Sequence, residues 1–164
     1  QLGQNDLNKK PEDIDLERLD TLATTLPPEY ALAEIGPAEA AQIGDELTPH
    51  GIGVFGGPEA FVRDGFGACA LTDGVVMAAA TTYALSADKA EVAIATHPAH
   101  RGQHLAEALG AAMIATCLRR AVVPHWNAFN PVSQRLADRL GFEYVGMCGI
   151  LMLAGEERLQ PDGA

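Results

Sequence analysis

One stretch of the chain, Glu91–Ala106, holds the residues whose types and spacing are best suited to chemistry. Its first half alternates apolar with other side chains, which predicts a strand that begins at a carboxylate. Pro98 ends that strand, because proline donates no ladder hydrogen bond. After Gly102 the period changes to that of a long helix. Apolar residues then recur every fourth position: Leu105, Leu109, Met113 and Cys117.

A strand that leads through a glycine into a helix is suited to binding an anion. The first amides of a helix have no partners within it and lie at the positive end of its dipole. A glycine such as Gly102 lets a ligand come close to the backbone. The pattern therefore predicts an anion site, whose usual occupant is a pyrophosphate. Many α/β proteins contain such turns, so the pattern alone does not name the ligand.

The composition favours one acidic domain. The chain has 164 residues, of which 48% are hydrophobic, and a formal net charge of −11. This charge argues against general binding to nucleic acid or to an anionic membrane. It is mildly compatible with a cationic substrate such as an amine, but acidity that only maintains solubility is the favoured interpretation.

The three cysteines, Cys69, Cys117 and Cys148, are scattered and form no metal-binding or disulfide pattern. We interpret them as reduced thiols of a cytoplasmic protein. No apolar run reaches the length of a membrane span, and no signal peptide is evident. No cluster has the spacing of metal ligands, so we expect no metal.

The pattern predicts an acidic N-terminal arm or linker helix (1–29), a single domain (30–153) and a tail (154–164). Within the arm we expect disorder over 1–11 and a helix over 11–24. The domain is expected to hold strands and helices in the order β-α-α-β-β-β-α-β-α-β. The predicted elements are strands at 30–35, 66–72, 75–85, 90–96, 122–129 and 142–153, and helices at 37–47, 58–64, 102–121 and 130–141, with a loop at 48–58.

Two motifs in this order resemble the GNAT superfamily of acyl-CoA-dependent N-acetyltransferases. The first, Ile94-Ala95-Thr96 followed by Arg101-Gly102-Gln103-His104-Leu105-Ala106, is similar to the coenzyme-binding signature of that family. The second, Asn130-x-x-Ser133 followed by Leu140-Gly141-Phe142, is similar to the family's Asn-x-x-Ser and Leu-Gly-Phe segment. Between them, Pro124-His125-Trp126-Asn127 resembles a Pro-x-Trp-[Asp/Asn] strand of one bacterial branch.

The resemblance implies an α/β (α+β) fold: a GNAT-like mixed, mostly antiparallel central sheet of about six strands, flanked by helices. It also implies acetyl-CoA as co-substrate. The backbone of Ile94, Ala95 and Thr96 would pair with the pantetheine arm, because the central strand splays from the next one. The amides of 101–106 would hold the pyrophosphate. The implied coenzyme residues are Ile94, Ala95, Thr96, Arg101, Gly102, Gln103, His104, Leu105, Ala106, Asn130 and Ser133.

Glu91 is the candidate catalytic base, because relatives often carry a catalytic glutamate in this part of the central strand. By alternation it shares a face with two small alanines, which leave room for a substrate. It could equally be an exposed glutamate at a strand start. Ala137 stands where many relatives carry the tyrosine that acts as general acid, so the acid is unassigned, and Tyr83 and Tyr144 are the remaining candidates.

Several other polar residues have two interpretations. His104 could donate to a phosphate or simply face solvent. His125 could face the substrate or pack as a neutral core residue. Asn130 is suited to capping a helix and could also contact the coenzyme, and Ser133 is similarly ambiguous. Trp126 is more often a core residue than a site residue.

The resemblance implies an N-acetyltransferase that passes an acetyl group from acetyl-CoA directly to an unidentified amine. The expected partner is a small-molecule or peptide amine acceptor, with no nucleic acid and no membrane, and a homodimer is a candidate assembly. One alternative is a non-catalytic acyl-CoA-binding GNAT-like module with a regulatory or scaffold role, which Ala137 favours. Another is a fragment whose missing domain supplies the acceptor site.

Overall fold

A computed structural model of the chain describes residues 3–8, 14–47 and 49–149. The strands are β1 (Gly3–Asn8), β2 (Ala31–Glu34), β3 (Gly67–Thr72), β4 (Val75–Leu85), β5 (Lys89–Thr96), β6 (Val123–Ala128) and β7 (Glu143–Gly149). The helices are α1 (Leu16–Ala23), α2 (Pro37–Gln42), α3 (Pro49–Gly53), α4 (Pro58–Asp64), α5 (Leu105–Arg119) and α6 (Pro131–Leu140). A π-helical turn, Ile43–Leu47, follows α2, and a 3₁₀ turn, Pro98–His100, follows β5.

The seven strands form one sheet in the order β2-β3-β4-β5-β6-β1-β7. Every neighbouring pair is antiparallel except β5 and β6, which run parallel. The Asp73-Gly74 turn joins β3 to β4, as its sequence predicts, with both residues at positive φ. The expected mixed, mostly antiparallel GNAT-like sheet is therefore confirmed.

The seventh strand comes from a segment that the sequence analysis expects to be disordered. Residues Gly3–Asn8 lie between β6 and β7 and pair antiparallel with both. β6 and β7 run parallel to each other, because each is antiparallel to β1. The connection through α6 leaves one strand position between them, which β1 fills. The polar sequence of this segment has no strand periodicity, which is why disorder is expected. That expectation is wrong for residues 3–8, because the strand is formed by pairing with β6 and β7. The division into arm, domain and tail stays a prediction, and residues 150–164 lie outside the described residues.

Two hydrophobic clusters lie on the two faces of the sheet. On one face α5 packs together with α1 and α6, and its buried residues include Ala108, Leu109 and Ala111. On the other face, α2, the π-helical turn, α3 and α4 surround Phe61 and Cys69. The predicted loop at 48–58 contains α3, so that prediction was incomplete. β5 therefore lies between the two hydrophobic clusters, and its ends contribute residues to the candidate site.

The parallel pairing of β5 with β6 is short. It joins only Lys89 to Val123, Ala90 to Pro124 and Glu91 to His125. Beyond Glu91 the two strands separate, so the backbone of 92–96 has no strand partner on the β6 side within the described residues. On its other side β5 stays paired with β4 as far as Thr96. The fold therefore presents an open backbone edge that runs from Glu91 to the turn before α5.

Candidate functional site

The turn between β5 and α5 is compact because two of its residues adopt left-handed backbone conformations. Gly102 has φ of +78° and His104 has φ of +61°. His104 is the N-cap of α5, but its side chain accepts no capping hydrogen bond from a backbone amide. The start of a 15-residue helix is therefore reached by a backbone reversal whose amides are available to a ligand.

A cleft of about 200 Å³ lies between this turn and α6. Six of the residues implied for coenzyme binding line it: Thr96, Arg101, Gly102, His104, Leu105 and Ala106. Residues that the sequence analysis did not single out for coenzyme binding complete the lining: His100, Glu107, Val132, Leu136 and Arg139. Since α6 is far from the turn in sequence, only the fold could bring these residues together.

Charged groups in the cleft partly compensate one another. The Glu107 carboxylate lies 3.4 Å from Nδ1 of His104 and 3.3 Å from Nε of Arg139. Arg101 donates from Nε to the carbonyl oxygen of Thr96, at 3.4 Å, which directs this guanidinium along the start of the turn. The guanidinium groups of Arg101 and Arg139 and the positive end of the α5 dipole therefore lie at a cleft whose described lining holds a single carboxylate, that of Glu107. This excess of positive charge suits an anionic ligand.

The Thr96 side chain offers a test of whether a ligand fits here. It lines the cleft and is 8% exposed. Its hydroxyl has no hydrogen-bond partner among the described residues. Buried polar groups are rarely left unpaired, and an unpaired one calls for an explanation. A polar ligand in this cleft is one such explanation, and it agrees with the chemistry of a coenzyme that carries amides and phosphates.

The remaining implied coenzyme residues lie outside this cleft lining. Ile94 packs against the α5 cluster, and Ala95 packs against the cluster on the other face. Gln103 accepts a hydrogen bond from the Tyr30 hydroxyl at 2.7 Å. Asn130 caps α6, as its sequence suggests, by accepting from the Ser133 amide at 2.8 Å. The Ser133 hydroxyl accepts from the Trp126 indole at 2.9 Å, and the coenzyme contacts of these residues stay predictions.

Glu91 is held by two side chains of β6. Nδ1 of His125 lies 2.5 Å from one carboxylate oxygen, and the Asn127 amide donates to the other at 2.8 Å. The side chains of Glu91 and His125 are 20% and 25% exposed. Glu91 is therefore not the exposed glutamate of its alternative interpretation, and His125 is not a fully buried core residue. The alternation of His125 and Asn127 on one strand could have indicated that they share a face. Only the register of β6 against β5 shows that this face meets Glu91.

Other candidate catalytic groups are poorly placed or unreactive. Ala137 is fully buried in the core against α5, so its position offers no acid to the cleft. Burial raises the pKa of Cys69 and of Cys117 to about 12, which keeps both thiols protonated and unreactive near neutral pH. Tyr83 and Tyr144 are exposed and do not line the cleft. The described cysteines therefore give no support to a route through an acyl-cysteine.

Comparison with known proteins identifies the family. A family model of GNAT acetyltransferases matches residues 2–150. The chain belongs to the GNAT acetyltransferase family. The family expected from the two sequence motifs is therefore confirmed, while the assignment to a particular bacterial branch stays a prediction. No helix among the described residues is long and apolar enough to cross a membrane.

Solved structures show the same fold. A GCN5-related N-acetyltransferase-like protein from Streptococcus suis is 28% identical, with a TM-score of 0.80 over 88% of this chain and 58% of its own. A GNAT-family protein from Novosphingobium aromaticivorans is 21% identical, with a TM-score of 0.59 over 88% of this chain and 60% of its own. YncA from Salmonella typhimurium, solved with acetyl-CoA, is 18% identical, with a TM-score of 0.60 over 83% of this chain and 99% of its own. This chain thus spans about three fifths of the first two proteins, and no curated protein matches it.

The left-handed glycine of this GNAT turn generates a prediction with an internal control. Gly102→Asp should reduce acetyl-CoA binding by more than about tenfold, because the carboxylate would repel phosphates at the helix start. Gly74→Asp is the matched control, since Gly74 has the same φ of +78°, no described atom within 4 Å of an added Cβ, and a place outside the cleft lining. Both variants should lose about 1–2 kcal/mol of stability, but only Gly102→Asp should lose binding, as measured by calorimetry. Normal binding by Gly102→Asp would place the anion site elsewhere.

His104 generates a second prediction about the same turn. His104→Gly should leave coenzyme affinity within about twofold and stability within about 1 kcal/mol, because glycine adopts φ of +61° without strain. The lost contact with Glu107 is exposed and contributes little. His104→Ala keeps the strained backbone and should be less stable than the glycine variant by about 1 kcal/mol in thermal unfolding. If both variants lose affinity equally, the imidazole itself contacts the coenzyme.

Proposed function

We propose that this protein is an acetyl-CoA-dependent N-acetyltransferase that passes the acetyl group directly to an amine. The observation that carries the proposal is the open edge of β5, which begins beside a held carboxylate and ends at an anion-binding turn. An extended coenzyme can lie along this edge. Its pantetheine amides would pair with the backbone of 94–96, and its pyrophosphate would meet the amides of 101–106.

The length of the edge agrees with this arrangement. A strand rises by about 3.3 Å per residue, so Glu91 stands roughly 16 Å along β5 from Thr96. A coenzyme with its pyrophosphate at the turn would therefore have its thioester near Glu91, at the other end of the extended pantetheine arm. Family membership and the acetyl-CoA complex of YncA support the same choice of coenzyme.

The chemistry requires an unprotonated amine. Glu91 takes a proton from the acceptor ammonium, directly or through water, and the free amine then attacks the thioester carbon. A nitrogen–carbon bond forms, the carbon–sulfur bond breaks, and coenzyme A leaves as a thiolate that takes up a proton. A carboxylate has about four acceptor sites, so the hydrogen bonds from His125 and Asn127 orient Glu91 and still leave it able to accept.

The second candidate function is binding without turnover. It is favoured by Ala137, because alanine lacks the hydroxyl of the tyrosine that the resemblance implies as general acid at this position. A screen of amine acceptors with a chromogenic thiol reagent separates the two functions, since only an enzyme releases coenzyme A in proportion to acceptor. A cytoplasmic location, the class of amine and a homodimer stay predictions.

The proposed coenzyme should stabilise the folded protein. A ligand that binds only the native state adds about 2.7 kcal/mol at 100 times its dissociation constant, which for a chain of this size corresponds to roughly 5–10 °C in Tm. We expect a shift of this order in differential scanning fluorimetry with acetyl-CoA, and a much smaller one with acetyl-pantetheine, which lacks the pyrophosphate. The absence of any shift at millimolar acetyl-CoA would contradict the proposal.

The proposed base generates a prediction about rate. Glu91→Gln should lower kcat by about 10² to 10⁴ near neutral pH, which is the usual value of general-base catalysis. The affinity for acetyl-CoA should hardly change, and activity should partly recover at high pH as free amine accumulates. Glu34→Gln, which removes an equal charge from exposed β2, is the control and should have no effect. A Glu91→Gln variant with normal kcat would remove Glu91 from the mechanism and direct attention to His125.

A further inference from the structure

Tyr30 contacts the turn from a distant part of the chain, and no motif in the sequence predicts this contact. Its ring is buried, with 8% of the residue exposed, just before the first residue of β2. Its hydroxyl lies 2.7 Å from Nδ1 of His100 and donates to Oε1 of Gln103, also at 2.7 Å. The rings of Tyr30 and His100 meet edge to face, with centroids 5.8 Å apart. One phenol therefore holds two residues that flank Arg101 and Gly102.

The directions of these hydrogen bonds follow from the proton count. A phenol has one proton, and Gln103 receives it. The phenol oxygen must then accept from His100, which requires the His100 proton to be on Nδ1. Tyr30 thus fixes the side chain of Gln103, the ring orientation of His100 and its tautomer together.

The hydrogen bonds to Tyr30 connect the turn to a distant part of the chain, whereas the other side-chain hydrogen bonds of the turn join residues that are close in sequence. Among the described residues, these bonds run from Ala99 to His97, from Arg101 to Thr96 and between His104 and Glu107. None of them joins residues more than five positions apart. Gly102 adds conformational freedom at the middle of the turn. The bonds to Tyr30 are the long-range ones, since they span 70 and 73 positions.

We propose that Tyr30 is a positioning residue for the coenzyme, which holds the turn at 98–104 in its anion-binding conformation before the coenzyme arrives. This inference rests on the proposed function, because it concerns the same cleft. Its physical basis is preorganisation: when only a fraction of molecules has a competent turn, the apparent dissociation constant rises in inverse proportion to that fraction. Tyr30 lies outside the cleft lining and bonds to the turn and not to Glu91, so we expect it to act on binding and not on the chemical step.

The test is Tyr30→Phe, which keeps the buried ring and removes only the hydroxyl. We expect the dissociation constant and the KM for acetyl-CoA to rise by roughly five- to tenfold, as for the loss of a hydrogen bond that stabilises one conformation. The kcat at saturating acetyl-CoA should stay within about twofold. Amide hydrogen exchange at 101–104 should be faster in the ligand-free variant and should return to the wild-type rate when coenzyme A is bound.

A matched control separates positioning from a general loss of stability. Thr82 is fully buried, and its hydroxyl bonds to the Phe66 backbone on the α5 face of the sheet, outside the cleft lining. Thr82→Val should lower Tm at least as much as Tyr30→Phe does, but should leave the affinity for acetyl-CoA unchanged. Equal losses of affinity in both variants would overturn the role of Tyr30.

A double-mutant cycle supplies the second, independent measurement. Gln103→Leu breaks the same hydrogen bond from the other side and serves if Tyr30→Phe fails to fold. The two substitutions together should raise the dissociation constant by less than the product of their separate effects, because they act through one contact. Effects that simply multiply would overturn the inference. Wild-type protein that binds no acetyl-CoA would contradict the proposed function, whereas wild-type binding that Tyr30→Phe leaves intact would contradict only this inference.

Discussion

The site depends on the short pairing between β5 and β6. Parallel strands ordinarily satisfy each other's backbone groups along their whole length, but here the ladder joins three residue pairs and ends at Glu91. A backbone edge that is left open inside a sheet exposes hydrogen-bonding groups that need a partner. In this protein the open edge leads from a carboxylate to a helix start, and this is the geometry on which the proposed binding of an extended coenzyme rests.

The rest of the fold keeps this edge in place. On the β4 side the ladder continues to Thr96, and small residues of α5 pack closely beneath the sheet. Gly110 is one of them: an added Cβ would come within 2.6 Å of the Cδ1 atom of Leu140, so the Leu140 side chain of α6 packs where α5 has no side chain of its own. That close approach forms the far wall of the cleft, where Leu136 and Arg139 face the turn. The helix contact that packs the core therefore also shapes the cleft.

The carboxylate and the turn are organised in the same way, by side chains from distant parts of the chain. Glu91 is oriented by His125 and Asn127 from β6, and the turn is tied to Tyr30 from the segment before β2. In both cases a local element supplies the proposed base or the proposed binding turn, and a distant residue fixes its orientation. This arrangement suits catalysis, which depends on groups that are positioned before the substrate arrives. Ala137, by contrast, is fully buried in the core and contributes only to packing.

The sequence by itself determined the family, the order of nearly all elements and the strand–turn–helix that forms the cleft. It could do so because these features depend on local periodicity, on proline and glycine, and on motifs of adjacent residues. The tertiary structure alone decided that residues 3–8 form a strand, because their polar sequence gains strand structure only from the gap between β6 and β7. It also decided which residues surround Glu91 and the turn. His125, Tyr30 and Arg139 are 34, 73 and 32 positions from the residues they contact, and no local pattern encodes a register or a helix crossing.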